Sequence, residues 1–187
     1  MIIAKSQKDL DRMRDVGELI AEVREALRAM IAPGVTTLEL NAVAEKMMRD
    51  AGAIPTFIGY KPYGMTPFPF AICASVNEAV VHGFSNEIPL KEGDIVSLDM
   101  AATYNGFVGD TAFTAPVGKI APELEQLIRV TEECLDLGIA QCCPGKRVGD
   151  IGAAIQEHAE KFGYGIVRDY TGHGIGRHMH EAPQIPN

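Results

Sequence analysis

One order of punctuation occurs twice in this chain and constrains its fold more than composition does. Pro33-Gly34 and Gly52 return as Pro144-Gly145 and Gly163 at a constant offset of about 111 residues. Each time the order reads long helix, Pro-Gly, short helix, glycine, strand. Such a repeat implies two related halves of a single domain over residues 1–187, the first about 1–118 and the second about 119–187. The same offset carries the counterpart of the first half's closing hairpin past Asn187, so the second half is expected to lack its last strands.

Within each half the local signals are specific. Ser6 is placed to cap a helix with Asp9 in its first turn, and Leu10, Met13, Gly17, Ile20, Leu27 and Ile31 recur at the spacing of one helical face. Thr36 and Glu39 form a capping box for the next helix, with Leu40, Val43, Ala44 and Met47 inward and Gly52 at its end. Residues 55–70 hold Pro55, Pro62, Pro67 and Pro69 among Phe57, Tyr60, Tyr63 and Phe68. That is a shaped loop, which either lines an apolar pocket or is pinned to the core by its rings. Strands are predicted over Ala71–Ser75 and Ile95–Ala102, and Asn105-Gly106 is a hairpin turn leading to a strand from Phe107 towards Val117. Pro122 opens a long helix with Leu124, Leu127, Ile128, Leu135 and Ile139 inward, and the short helix after Pro144-Gly145 ends near Gly163. Helices and an antiparallel hairpin in separate runs make the class α+β.

At 47% hydrophobic and 22% charged residues, disordered and collagen-like classes are excluded. Acidic residues outnumber basic ones by 25 to 17, and the net charge of −8 repels phosphate backbones and anionic lipid. Neither nucleic acid nor membrane is an expected partner. The N-terminus passes from Met1-Ile2-Ile3 directly into charged sequence, and no apolar run is long enough to span a bilayer, so a cytoplasmic protein is expected; the oligomeric state is left open, with a monomer as the default. Cys73, Cys134, Cys142 and Cys143 lack paired CxxC spacing and read as reduced, mostly buried thiols, with Cys73 either in the core or lining a pocket.

The hairpin carries the chemistry. If Asn105-Gly106 pairs Tyr104 with Phe107, then Ala101 pairs with Asp110 and Asp99 with Ala112. Asp99 and Asp110 are then diagonal neighbours on one face, roughly 8 Å apart at the backbone. Two ionised carboxylates about 5 Å apart at an effective dielectric of about 20 repel by about 3 kcal/mol. A divalent cation, a nearby lysine or arginine, or one shared proton would relieve this. Further on, Thr171-Gly172-His173-Gly174-Ile175-Gly176 sets one imidazole between glycines, and His178 and His180 follow, three of the five histidines in the chain. Mixed Asp and His donors suit Mn, Fe, Co or Zn.

Val81-His82-Gly83, Ser97-Leu98-Asp99, Gly109-Asp110-Thr111, Gly172-His173-Gly174-Ile175-Gly176 and His180-Glu181-Ala182-Pro183 occur in that order. Together, over essentially the whole chain, they resemble the type I methionine aminopeptidases in their short bacterial form. The resemblance implies the two-halved pita-bread (creatinase/aminopeptidase) fold with a pseudo-two-fold repeat, in one catalytic domain. It implies Asp99, Asp110 and His173 as metal ligands, and His82 and His180 as catalytic groups that contact substrate or assist proton transfer. Tyr60, Tyr63, Cys73 and Met179 would line the methionine pocket. The implied cofactors are two divalent ions (Co, Mn, Fe or Zn), and the implied partners are nascent polypeptide N-termini. The implied reaction removes the initiator methionine before a small second residue, by attack of metal-activated water on the first peptide carbonyl.

The family completes its two-metal site with two glutamates from later strands, which would fall past Asn187. A C-terminally incomplete chain that holds one metal or none and turns over poorly is therefore the expectation. Met179 stands where the family commonly has an aromatic residue. Two alternatives remain: an Xaa-Pro peptidase of the same fold, and a non-catalytic protein that binds peptides or partners.

Overall fold

The computed structural model describes residues 2–62 and 64–187, and the chain divides into two compact units. One comprises Ala4–Ile120 with the short segment Ile175–Met179; the other comprises Ala121–Gly174 and His180–Asn187 with Ile2 and Ile3. The expectation for Tyr63 lies outside the described residues.

The first unit begins with helix α1 (Gln7–Met30), where Ser6 Oγ accepts from the Asp9 N–H at 3.2 Å and the Asp9 carboxylate accepts from the Ser6 N–H at 3.2 Å. The inward stripe is Val16, Ile20, Val23 and Leu27, while Leu10 and Gly17 are exposed. The sequence reading of this face was therefore partly out of phase. Gly17 lies one residue, about 100° of helix rotation, from the row that the sheet covers. Helix α2 (Thr37–Asp50) closes its capping box at Thr36 and Glu39, and its core side is Leu40, Ala44 and Met48 with the polar Thr37 and Asn41. Asn41 is buried because its Oδ1 accepts from the Ala71 N–H at 2.8 Å, which fixes the chain at the entry to the sheet.

That sheet has β1 (Ile54–Pro55) and β2 (Ile72–Val76) along one side of β3 (Ile95–Tyr104), and β4 (Phe107–Pro116) along the other. The β3–β4 register runs without a slip from Ile95↔Pro116 to Tyr104↔Phe107 and includes Ala101↔Asp110 and Asp99↔Ala112, as the Asn-Gly turn predicts. Asn105 and Gly106 both have positive φ, 50° and 79°, as a two-residue turn of this hand requires. Val96, Leu98, Met100 and Ala102 alternate into the core shared with α1 and α2. Ser97, Asp99 and Ala101 therefore face the other way. Gly109 lets α1 lie close: a Cβ there would be 3.0 Å from Val16 Cγ2. The neighbouring Asp110 points to the opposite face.

In the second unit, α3 (Pro122–Ala140) and α4 (Val148–Lys161) pack through Val130, Cys134 and Ala159, joined by Ile155, Tyr164 and Ile166. Leu135 and Ile139, expected inward, are each 59% exposed; the buried row is Val130, Cys134 and Gly138. Gly138 permits the helix contact, since a Cβ there would stand 3.1 Å from Ile155 Cδ1. Strands β5 (Gly172–Gly174) and β6 (Glu181–Ile185) form an antiparallel pair with a register shift between His173 and Gly174. All four cysteines are free thiols, but only Cys73 and Cys134 are buried; Cys142 and Cys143 are exposed at the Pro-Gly turn, against the expectation of mostly buried thiols. Among the described residues no helix is long and apolar enough to cross a membrane.

Candidate active site

On the face of β3 and β4 that turns away from the helices, polar and apolar groups lie in layers. Ser97 and Thr114 share a hydroxyl hydrogen bond at 2.7 Å. Next along the strands come Asp99 and Asp110, diagonal neighbours on one face, close enough for their carboxyl groups to interact by charge and by hydrogen bond. Either a shared proton or a cation relieves the repulsion between them. Burial above all, then the negative charge of Asp110 and the hydrogen bond, push the Asp99 carboxyl up to about 7, although the Met100 N–H opposes the shift.

Beside this pair is a small apolar cluster. Cys73 is the cross-strand partner of Asp99 and packs with Phe57, Ala101, Val108 and Met179, against which Phe68 and Ile175 also lie. Burial, then the charges of Asp99 and Asp110, push the Cys73 thiol up to about 12. It is therefore an inert apolar wall and not a nucleophile. Met179 arrives with the segment 175–179, which is docked on the hairpin. The Val108 N–H donates to the Gly176 carbonyl at 2.8 Å, the Arg177 guanidinium stacks 4.6 Å from the Phe107 ring centre, and Arg177 Nη2 reaches Asp9 Oδ1 at 3.2 Å.

The aromatic loop contributes in a different way from the expectation. Phe57 and Phe68 enter the cluster, whereas Tyr60 is 40% exposed and is held through its backbone, its N–H donating to the Phe57 carbonyl and its carbonyl accepting from the Phe68 N–H, both at 2.9 Å. Phe68 also makes edge contacts with Phe70 and with Phe84, at 5.9 Å and 5.1 Å between ring centres. His82 is exposed and has positive φ, 59°.

In the second unit, His173 on β5 packs edge-on against His180, 4.4 Å between ring centres. His173 Nδ1 lies 3.0 Å from the Gly174 carbonyl oxygen. As a donor there, Nδ1 leaves Nε2 as the ring's basic nitrogen. Gly174 is required by the strand pairing itself, because a Cβ would lie 2.6 Å from the Ala182 carbonyl oxygen. His178 is exposed. Among the described residues no group of three or more His, Cys, Asp or Glu side chains gathers closely enough to hold a metal ion.

Sequence reasoning named Phe57 and Phe68 only as members of the aromatic loop, and it missed Ala101 and Val108 as part of the wall beside the aspartates. The signal for the last two was present: Ala101 and Val108 share the strand face of Asp99 and Asp110 once the hairpin register is known.

This chain belongs to metallopeptidase family M24, whose model matches residues 11–187. Within the family it is 46% identical to methionine aminopeptidase B of Synechocystis sp., over 100% of this chain and 68% of that protein. The crystal structure of methionine aminopeptidase from Rickettsia prowazekii superposes with a TM-score of 0.95 at 43% identity, covering 100% of this chain and 73% of that one. Prolidase from Pyrococcus furiosus shares the fold alone, with a TM-score of 0.83 at 22% identity over 98% of this chain and 52% of its own. The architecture is accordingly the α+β, two-halved pita-bread fold.

Proposed function

We propose that this chain releases the N-terminal methionine from polypeptides with a small second residue, using divalent metal. The observation that carries this reading is the close carboxyl pair Asp99–Asp110 set directly beside the apolar wall of Cys73, Phe57 and Met179. Two carboxyls that repel each other at close range fit a divalent cation, which would favour both ionised forms. His173, with Nε2 as its basic nitrogen, is assigned as the third donor from its glycine-flanked motif alone. Cobalt, manganese, iron or zinc all suit that donor set.

When bound, such an ion polarises the scissile carbonyl and makes water a stronger nucleophile. The chain's own residues supply the rest. The apolar wall accepts an unbranched thioether side chain and offers a charged one no partner. In this reading Tyr60 of the aromatic loop extends the pocket. His82 and His180 contact the substrate's first residues or hold the proton that passes to the departing amine. Nascent chain N-termini in the cytoplasm are the substrates this reading names.

The test is methionine release from Met-Ala-Ser by the purified chain with Mn²⁺ or Co²⁺ and a chelator control, together with metal binding by calorimetry. The expected result is chelator-sensitive release and stoichiometric metal lost in Asp99→Asn. Cleavage of Xaa-Pro but not of Met-Ala peptides, or peptide binding with no metal uptake at any concentration, overturns it.

A further inference from the structure

The loop that carries His82 runs from β2 to β3 and is tied down at both ends. At the near end Asn77, also at positive φ (53°), donates its N–H to the Ile95 carbonyl at 3.0 Å and accepts from the Ile95 N–H on Oδ1 at 3.0 Å. At the far end the Asn86 N–H donates to Thr37 Oγ1 at 2.8 Å. Between these anchors His82 adopts the left-handed backbone that residues with a Cβ avoid, so something adjacent must hold it.

Gly83 is pressed flat on β2. Its carbonyl accepts from the Ala74 N–H at 2.9 Å, its N–H donates to Ser75 Oγ at 3.1 Å, and a Cβ would fall 2.2 Å from the Ala74 carbonyl oxygen. Ser75 is buried, 4% exposed, and two residues along the same strand is Cys73, the cross-strand partner of Asp99. We propose that Ser75 is a positioning residue for His82: its buried hydroxyl fixes the Gly83 amide, and through it the strained His82 backbone, in register with the strand pair that carries Asp99. This rests on the reading of His82 as a substrate-contacting group and adds what holds it in place. Without the hydroxyl, the Gly83 N–H becomes a donor facing an apolar methyl. The loop then gains by lifting from β2 to reach water, and His82 relaxes to an ordinary φ.

The test compares Ser75→Ala and Ser75→Thr in the full chain at one fixed pH, by amide exchange and by the imidazole NMR signals of His82. Ser75→Ala is expected to speed exchange at Gly83 by about fivefold to tenfold. It should also displace the His82 ring signals, while the Asn77 and Ile95 amides, held independently, keep their rates. Ser75→Thr retains the hydroxyl and is expected to restore both readouts. His82 signals that superpose on the unmodified protein overturn the proposal, as does an equal acceleration at Asn77, which would mean general loosening. Displaced His82 signals with unchanged methionine release would support the positioning and remove His82 from the proposed reaction.

Discussion

The two halves of this protein share helix ends and Pro-Gly turns at one offset and differ in what these are packed against. Helices α2 and α4 begin at Thr37 and Val148 and end at Asp50 and Lys161, at the repeat offset. Both close with the same motif: Gly52 donates to the Arg49 carbonyl and Ala53 to that of Met48, as Gly163 does to Glu160 and Tyr164 to Ala159. The Pro-Gly turns match too, Val35 to Ala32 and Lys146 to Cys143, each at 3.2 Å. The environments then diverge. The Gly34 N–H donates to the Leu90 carbonyl and the Leu90 N–H to the Val35 carbonyl, both at 2.8 Å, so the first turn is stitched to a neighbouring segment. The second carries exposed Cys142 and Cys143. Helix α2 buries Leu40, Ala44 and Met48, whereas α4 buries only Ala159. Helix ends and turns are thus the same in both halves, while burial over the described residues differs.

The sharpest test of that contrast is in the core. Leu40→Ala should lose about 2–5 kcal/mol, because the side chain is fully buried and a cavity follows. Its repeat counterpart Ile151 is half-buried, and Ile151→Ala should lose at most about half as much. Urea midpoints of the two variants decide it, and equal losses would mean that the second half is as tightly packed as the first.

A second effect belongs to the first half alone. Asp99 binds its proton more tightly folded than unfolded, so metal-free protein holds that stability at low pH and loses it as pH rises from about 4 towards about 7. The loss amounts to no more than a few kcal/mol. Thermal melts in chelator across this window should show the decline, and Asp99→Asn should flatten it. A rise in stability over the same range would contradict the upward shift of the Asp99 carboxyl.

Smaller substitutions probe the shared motif. Gly52 and Gly163 have φ of 77° and 80° with open space around each Cβ position, so replacing either by alanine should cost about 1 kcal/mol of backbone strain, and the same for both. Unequal costs would break the equivalence. At the N-caps the halves should part again: Thr36→Ala removes a hydroxyl that accepts from the Glu39 N–H at 3.1 Å and should cost about 1 kcal/mol. At Arg147 there is no such oxygen, and only the backbone N–H is met, by Asp150 at 2.7 Å. Arg147→Ala should therefore stay within about 0.5 kcal/mol. Chemical denaturation of the four variants resolves these steps.

The same division separates what was legible in the sequence from what was not. Ser6, Thr36, Gly52, Gly163 and the Asn105-Gly106 turn act through hydrogen bonds and φ preferences spanning two to five residues. The chain alone therefore determined the helix ends, the repeat and the hairpin register that sets Asp99 beside Asp110. The phase of α1 and α3, the exposure of Leu135 and Ile139, and the choice of Phe57 and Phe68 over Tyr60 to wall the site were decided only in three dimensions. So were the docking of Met179 on the hairpin and the pinning of His82 through Ser75. Each depends on which surface arrives from far along the chain to exclude water, and neither periodicity nor residue type carries that information.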